Sequence, residues 1–292
     1  MPDPACSTIL DAIDVLLMAA GGIVLLIGVV RQVRRGRRDP LRGAPLRVNV
    51  LSPAWIWLVL LIYASSGLLA GGIVAVYTPS GRSTEVTSLW RGVLAGNLMQ
   101  ATVIAAVLWV ASRTFRGGLA GFGLMRRPWR RDLGDAIRGW LVALCVCAGL
   151  SRLTEWLFHL FSPRFETPMH SIFVTLAMPE TPTSVRVVTI AGAAVLAPLG
   201  EELLFRGILQ TGMRRILPPR RGSLRHRWLG IVLASLVFGA MHLPTPQYVP
   251  ALVVLGIILG WQYERTGSLR VPIAVHMLFN GKTLLWYHLS GG

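Results

Sequence analysis

The sequence predicts an all-α protein, a polytopic transmembrane helical bundle of about eight membrane segments. Three observations predict it. Of 292 residues, 53% are hydrophobic and only 14% charged, against roughly 25% charged in soluble domains, and the mean hydropathy is +0.58. Apolar windows of about 20 residues, long enough to cross a hydrocarbon core, recur along the chain. The basic residues, nearly all arginine, cluster in short runs between those windows. The formal net charge of +16 therefore reads as loops that meet anionic headgroups. No nucleic-acid partner is expected, because no basic patch has a folded soluble domain to carry it. The expected partners are membrane lipids, and the expected location is a multi-pass position in a membrane.

The windows run Ala12–Val30, Ala54–Val76, Gly92–Ser112, Gly139–Phe161, Val187–Leu209 and Val271–Leu289. Two shorter ones, Trp228–Leu243 and Val249–Tyr263, are joined by the turn "PTPQY". At 1.5 Å per residue these two reach only about 24 Å, so they read as short spans or as a re-entrant pair. The N-terminus lacks the basic region and cleavage site of a signal peptide, so the first window is expected to persist. The connections Arg31–Arg47, Arg113–Arg138 and Arg214–Arg227 are Arg-rich, whereas Tyr77–Arg91 and Ser162–Ser184 carry few basic residues. The positive-inside rule makes the rich ones cytoplasmic and both termini external. Within the second rich loop, Arg126–Arg138 reads as a short interfacial helix or a plain loop. Cys145 and Cys147, two apart in an apolar run, read as small buried residues. Residues 1–185 thus form N-terminal helices and Arg-rich loops, and 186–292 a polar-bearing core, within one integrated membrane domain.

Charges in the first two-thirds sit near span ends, where snorkelling accommodates them. The last third differs. In "GEELLFRG", Glu202 and Arg206 are four apart and so share a helix face as an ion pair. Glu201 is rotated about 100° away and is left without a local partner. "FGAMH" puts Phe238 and His242 on one face, and "HMLFN" does the same for His276 and Asn280. Polar groups in an apolar setting need partners, and one shared site is the economical solution. Two chemistries fit it. Glu201 deprotonates a water while His242, His276 and Asn280 stabilise an oxyanion. Alternatively Glu201, His242 and His276 hold a divalent metal such as Zn²⁺ with water in an open position. Both hydrolyse an acyl bond.

These stretches, in this order, resemble the CPBP family of intramembrane proteases, also called the Abi or CAAX-protease family, with motifs EExxxR, FxxxH and HxxxN. The resemblance covers roughly Val187–Gly292. It implies a helical bundle in a bacterial-type cytoplasmic membrane and an endopeptidase acting at or in the bilayer. Its peptide or lipidated-peptide substrates would be prenylated CAAX tails or bacteriocins. It implies Glu201 as the water-activating base assisted by His242, with His276 and Asn280 stabilising the oxyanion. Glu202, Arg206 and Phe238 would support the site. The family has been described both as metalloproteases and as metal-independent glutamate proteases, so the cofactor is either a divalent metal or none.

Other hydrolases fit less well: the sequence holds no HExxH, no GxSG-like serine motif and no membrane aspartate pair. Two rival functions are a non-catalytic scaffold or immunity protein that uses the cluster as bracing, and a transporter. The transporter predicts repeated halves, but the unusual polar residues lie in the last third alone. Lys282, the one lysine, reads as snorkelling or paired. Depth leaves a tension: counted from Arg214, Arg227 and Arg270, Glu201 and His242 lie about 20 and 22 Å deep, but Asn280 and His276 only about 15 and 9 Å. Closing that gap requires tilt, or a start of the last helix deeper in the bundle.

Overall fold

A computed structural model describes residues 4–36, 39–45, 51–77, 85–125, 127–216 and 224–290. Among these residues the chain is all helix and turn, and it is an integral membrane protein. Five helical stretches are long and apolar enough to cross a membrane: Ser7–Arg34, Pro53–Ile73, Leu89–Thr114, Trp129–Phe161 and Thr183–Met213. The first four belong to α1 (Pro4–Arg34), α2 (Pro53–Tyr77), α3 (Glu85–Thr114) and α5 (Trp129–Phe161). The short α4 (Gly118–Phe122) precedes α5 and α6 (Ser171–Ala177) follows it. Three further helices, α10 (Leu224–Ala240), α11 (Val249–Thr266) and α12 (Arg270–Leu289), complete the bundle. They have 17, 18 and 20 residues, so they rise only about 26, 27 and 30 Å. α10 and α11 pack as an antiparallel pair across the turn of Pro246–Tyr248.

The fifth stretch is continuous but irregular. It comprises α7 (Thr183–Ala191), a π-helical turn (Gly192–Leu196), α8 (Ala197–Glu202), a second π-helix (Leu203–Gln210) and α9 (Thr211–Ile216). Pro198 supplies a local cause for the first: without an N–H it cannot satisfy the carbonyl four residues back, and its ring crowds that carbonyl. The N–H of Ala197 accordingly reaches the carbonyl of Gly192, five residues back. In the second, the Thr211 hydroxyl donates to the Arg206 carbonyl at 3.2 Å. Such widened turns frequently mark functional sites, and here they bracket Glu201 and Glu202. α3 packs closely against this helix. Gln100 lies against Gly200 and Asn97 against Gly192, where a Cβ would collide with either side chain.

Two apolar cores hold the bundle. One joins α2, α3, the second π-helix and α10 through residues such as Val59, Val107, Ile208 and Phe238. The other joins α5, α11 and α12 through Ala143, Leu255 and Val275. α1 leans on α5, with Gly21 against the backbone of Leu141; only 6% of its apolar window is buried, as suits a helix facing lipid. Lys282 is paired, as the sequence allows: its Nζ lies 2.6 Å from Asp14 of α1 and 4.4 Å from the Trp286 ring. Cys147 is buried and Cys145 half-buried.

Two expectations need correction. Residues from Trp129 onward form neither a separate interfacial helix nor a loop, but the first turns of the 33-residue α5. The driver is Asp132, which is buried, accepts from Ser268 at 2.9 Å and pairs with Arg270 at 2.6 Å. The depth offset is the second. Leu269 and Val271 at the start of α12 are fully buried, Arg270 between them pairs with Asp132 with its side chain a third exposed, and His276 comes level with Glu201, 3.8 Å away.

Candidate active site

The sequence leaves Glu201 without a partner, and the bundle provides one. Glu202 and Arg206, one helical turn apart, pair at 2.8 Å with side chains 0% and 1% exposed. Arg206 also donates to the Gly256 carbonyl of α11 at 3.3 Å, and its guanidinium lies 4.8 Å from the Phe238 ring centre. His276, on α12, donates from Nδ1 to Glu202 Oε1 at 2.9 Å. A carboxylate only accepts hydrogen bonds, so this contact fixes the proton on Nδ1. Nε2 then faces Glu201 Oε2 at 3.8 Å, beyond hydrogen-bond range but within strong electrostatic reach. Glu201 is 23% exposed whereas His276 is 4% exposed, so of the two it is the one with an open side.

Phe238 is the wall between the components. Its ring meets His276 edge-on at 5.8 Å, His242 at 5.1 Å and Phe205 at 5.3 Å. His242, just past the end of α10, donates from Nδ1 to the Phe238 carbonyl at 2.9 Å. Its Nε2 is left as the free ring nitrogen, and the residue is half-buried. Six of the seven residues singled out in the sequence are thus joined in one connected cluster. Asn280 stands apart from it: its Nδ2 donates to the Ala193 carbonyl of the first π-turn at 3.1 Å, tying α12 to the helix that carries Glu201. Among the described residues no three His, Cys, Asp or Glu side chains converge closely enough to hold a metal ion.

Several participants escape sequence reading. Tyr63 of α2 packs on the core cluster that holds Phe205 and Phe238, and Gly256 contributes only a carbonyl; neither belongs to a pattern. At the His242 end of the bundle, Gln247 donates to the Pro168 carbonyl at 3.0 Å, and its own carbonyl accepts from Thr154 at 2.7 Å. These bonds hold the segment before α6 on the turn that follows His242. His170 in that segment is kept below its ordinary pKa by burial and then by His242. A second buried ion pair, Arg227 with Glu264 at 3.0 Å, lies nearer the Arg-rich end. Opposite charges near the start of one short apolar segment and the end of its neighbour were the available signal.

Residues 183–281 match the family described as type II CAAX prenyl endopeptidase Rce1-like, and all seven site residues fall inside that span. The likeness is to the CAAX proteases and covers about a third of the chain. The chain is also similar to two curated proteins. One is an uncharacterized 24.3 kDa protein of Escherichia coli, 31% identical over 114 residues, which are 37% of this chain and 46% of that protein. The other is the uncharacterized protein YpbD of Bacillus subtilis (strain 168), 33% identical over 89 residues, 30% of this chain and 39% of the relative. The chain spans less than half the length of either relative. No solved structure matches it.

Proposed function

We propose that the protein is an intramembrane endopeptidase of the CAAX-protease type, in which Glu201 activates water for attack on a peptide bond at or within the bilayer. The observation that carries this reading is the orphan carboxylate: Glu201 Oε2 faces His276 Nε2 at 3.8 Å, while the other nitrogen of that imidazole is locked by Glu202. Glu201 takes a proton from water as the oxygen adds to the scissile carbonyl. Glu201 passes that proton to the facing His276 Nε2, and the imidazolium N–H so formed stabilises the oxyanion, with Arg206 behind Glu202 holding the ring in place. On collapse of the tetrahedral adduct the same proton goes to the leaving amine, a transfer that the free Nε2 of His242 assists. Asn280 completes the oxyanion site only with the N–H that Ala193 does not use.

The substrate class that fits this family is a peptide or lipidated peptide presented at the membrane, of which a prenylated C-terminal tail is the first choice and a bacteriocin precursor the second. Both bring the scissile bond to the membrane. The test is cleavage of a farnesylated, internally quenched peptide by purified protein in vesicles, read against Glu201→Gln. Hydrolysis is expected from the wild type and from chelator-treated, metal-free protein, and none from the variant. Unchanged biological activity in Glu201→Gln would instead favour the scaffold or immunity reading, in which the same cluster only braces the helices.

A further inference from the structure

At the end of the bundle away from His242, a cleft of about 420 Å³ opens between the α1–α2 connection, the start of α5 and the end of α11. Its lining includes Arg42, Pro45, Arg127, Asp135, Arg265 and Thr266, and none of the active-site residues. We propose that it binds the phosphate of an anionic lipid headgroup. Three arginines and one aspartate line the cleft; Arg127 is shared between Asp135 at 3.0 Å and Asp132 at 3.4 Å, and the two aspartates also meet Arg138 at 2.6 Å and Arg270 at 2.6 Å. The surplus is cationic, and the planar guanidinium fork suits phosphate oxygens in pairs.

The cleft is also built in advance. Arg227, fully buried, donates to the carbonyls of Leu41, Ala44 and Pro45 at 3.4–3.5 Å, and Arg265 donates to Pro40 at 3.0 Å. These bonds hold one wall against α10 and α11. The Arg265 guanidinium lies 5.5 Å from the Trp261 ring and Arg130 lies 5.6 Å from Trp129, and tryptophans of this kind sit at headgroup level. The Arg-rich connections that the positive-inside rule makes cytoplasmic meet here, and basic pockets between helices on that side are the ones that hold acidic headgroups. The volume is within the range of small-molecule sites, about 300–1,000 Å³.

The test titrates the purified full chain in neutral detergent with phosphatidylglycerol or phosphatidylcholine, followed by native mass spectrometry. Phosphatidylglycerol is expected to be retained and phosphatidylcholine not. Arg42→Gln and Arg265→Gln, both at exposed positions, are expected to weaken retention about five-fold each, while Arg130→Gln, outside the cleft, leaves it unchanged. Retention unaffected by the double variant, or equal binding of phosphatidylcholine, would overturn the proposal. Displacement by inorganic phosphate at matching concentration would make free phosphate the source of the same chemistry. Displacement by a peptide with a free C-terminal carboxylate, but not by its amide, would assign the cleft to a substrate tail and overturn the lipid. Glu201→Gln is expected to bind phosphatidylglycerol as the wild type does, so this result stands or falls apart from peptidase activity.

Discussion

The C-terminal part of the bundle contains two buried ion pairs, and they differ in what they leave over. Arg227 and Glu264 form a closed set. Nε of Arg227 meets Glu264 Oε2, its Nη groups reach the carbonyls of Glu264, Leu41, Ala44 and Pro45, and Glu264 Oε1 takes Gln210 at 3.3 Å. Every bond there ties one element to another. Glu202 and Arg206 are equally buried but open: Glu202 shares one oxygen between Arg206 and His276, its second oxygen has no protein partner, and the adjacent Glu201 carboxylate faces a free imidazole nitrogen. A buried pair is not by itself a sign of chemistry. What distinguishes the open one is the unused acceptor and the titratable group aimed at it.

That contrast is most sharply tested by Glu201→Gln. It should lower peptide hydrolysis by roughly 10²–10⁴-fold, the usual reach of a general base, while the thermal unfolding midpoint in detergent stays at the wild-type value. Arg227→Met should do the reverse. Removing one partner of a buried pair costs about 3–5 kcal/mol, so this variant should unfold at markedly lower temperature, and Arg227→Met with Glu264→Met should recover most of the loss. Arg206→Met should fail both ways, losing stability on the same scale and also activity, because His276 loses the fixed carboxylate behind it. If Arg206→Met kept full activity, the open pair would be no different from the closed one.

Smaller effects sharpen the picture. Asn280→Ala removes one interhelical hydrogen bond, worth about 0.6 kcal/mol in membranes, and should cost activity far less than His276→Ala. A loss as large as that of His276→Ala would return Asn280 to the reacting atoms. His170 should show as a mild acid sensitivity. Because its pKa is lowered on folding, its contribution is complete above the ordinary imidazole value of 6.5 and is lost as pH falls through the lower folded value. His170→Gln should flatten that part of the stability profile measured between pH 7 and pH 4.

The helices were legible because their signals are local. Apolar length marks α2 and α3 whatever they touch, and a four-residue spacing puts Glu202 above Arg206 on any helix. Where neutralisation comes from a distant segment, the same reading misled. The stretch Arg126–Arg138 read as a short interfacial helix or a loop, yet from Trp129 onward it is the start of α5, where Asp132 is buried with Ser268 and Arg270, and counting from Arg270 set His276 apart from the Glu201 that it faces. Tyr63, Gly256 and the Gln247–Pro168 bond carried no sequence signal, since a phenol, a carbonyl and an amide acquire roles only through their neighbours.

The sequence by itself determined an arginine-edged membrane bundle and singled out one carboxylate with nothing nearby to neutralise it, because composition, periodicity and i,i+4 spacing act within a single helix. Only the tertiary structure decided which imidazole faces that carboxylate, which nitrogen carries the proton, and that Asn280 bonds Ala193. Those outcomes depend on how α12 packs against the other helices, and one contact at its start joins Arg270 to Asp132, 138 positions apart in the chain. Ion pairs and hydrogen bonds act through space between groups that the fold brings together, so they report on the folded neighbourhood and not on the order of residues.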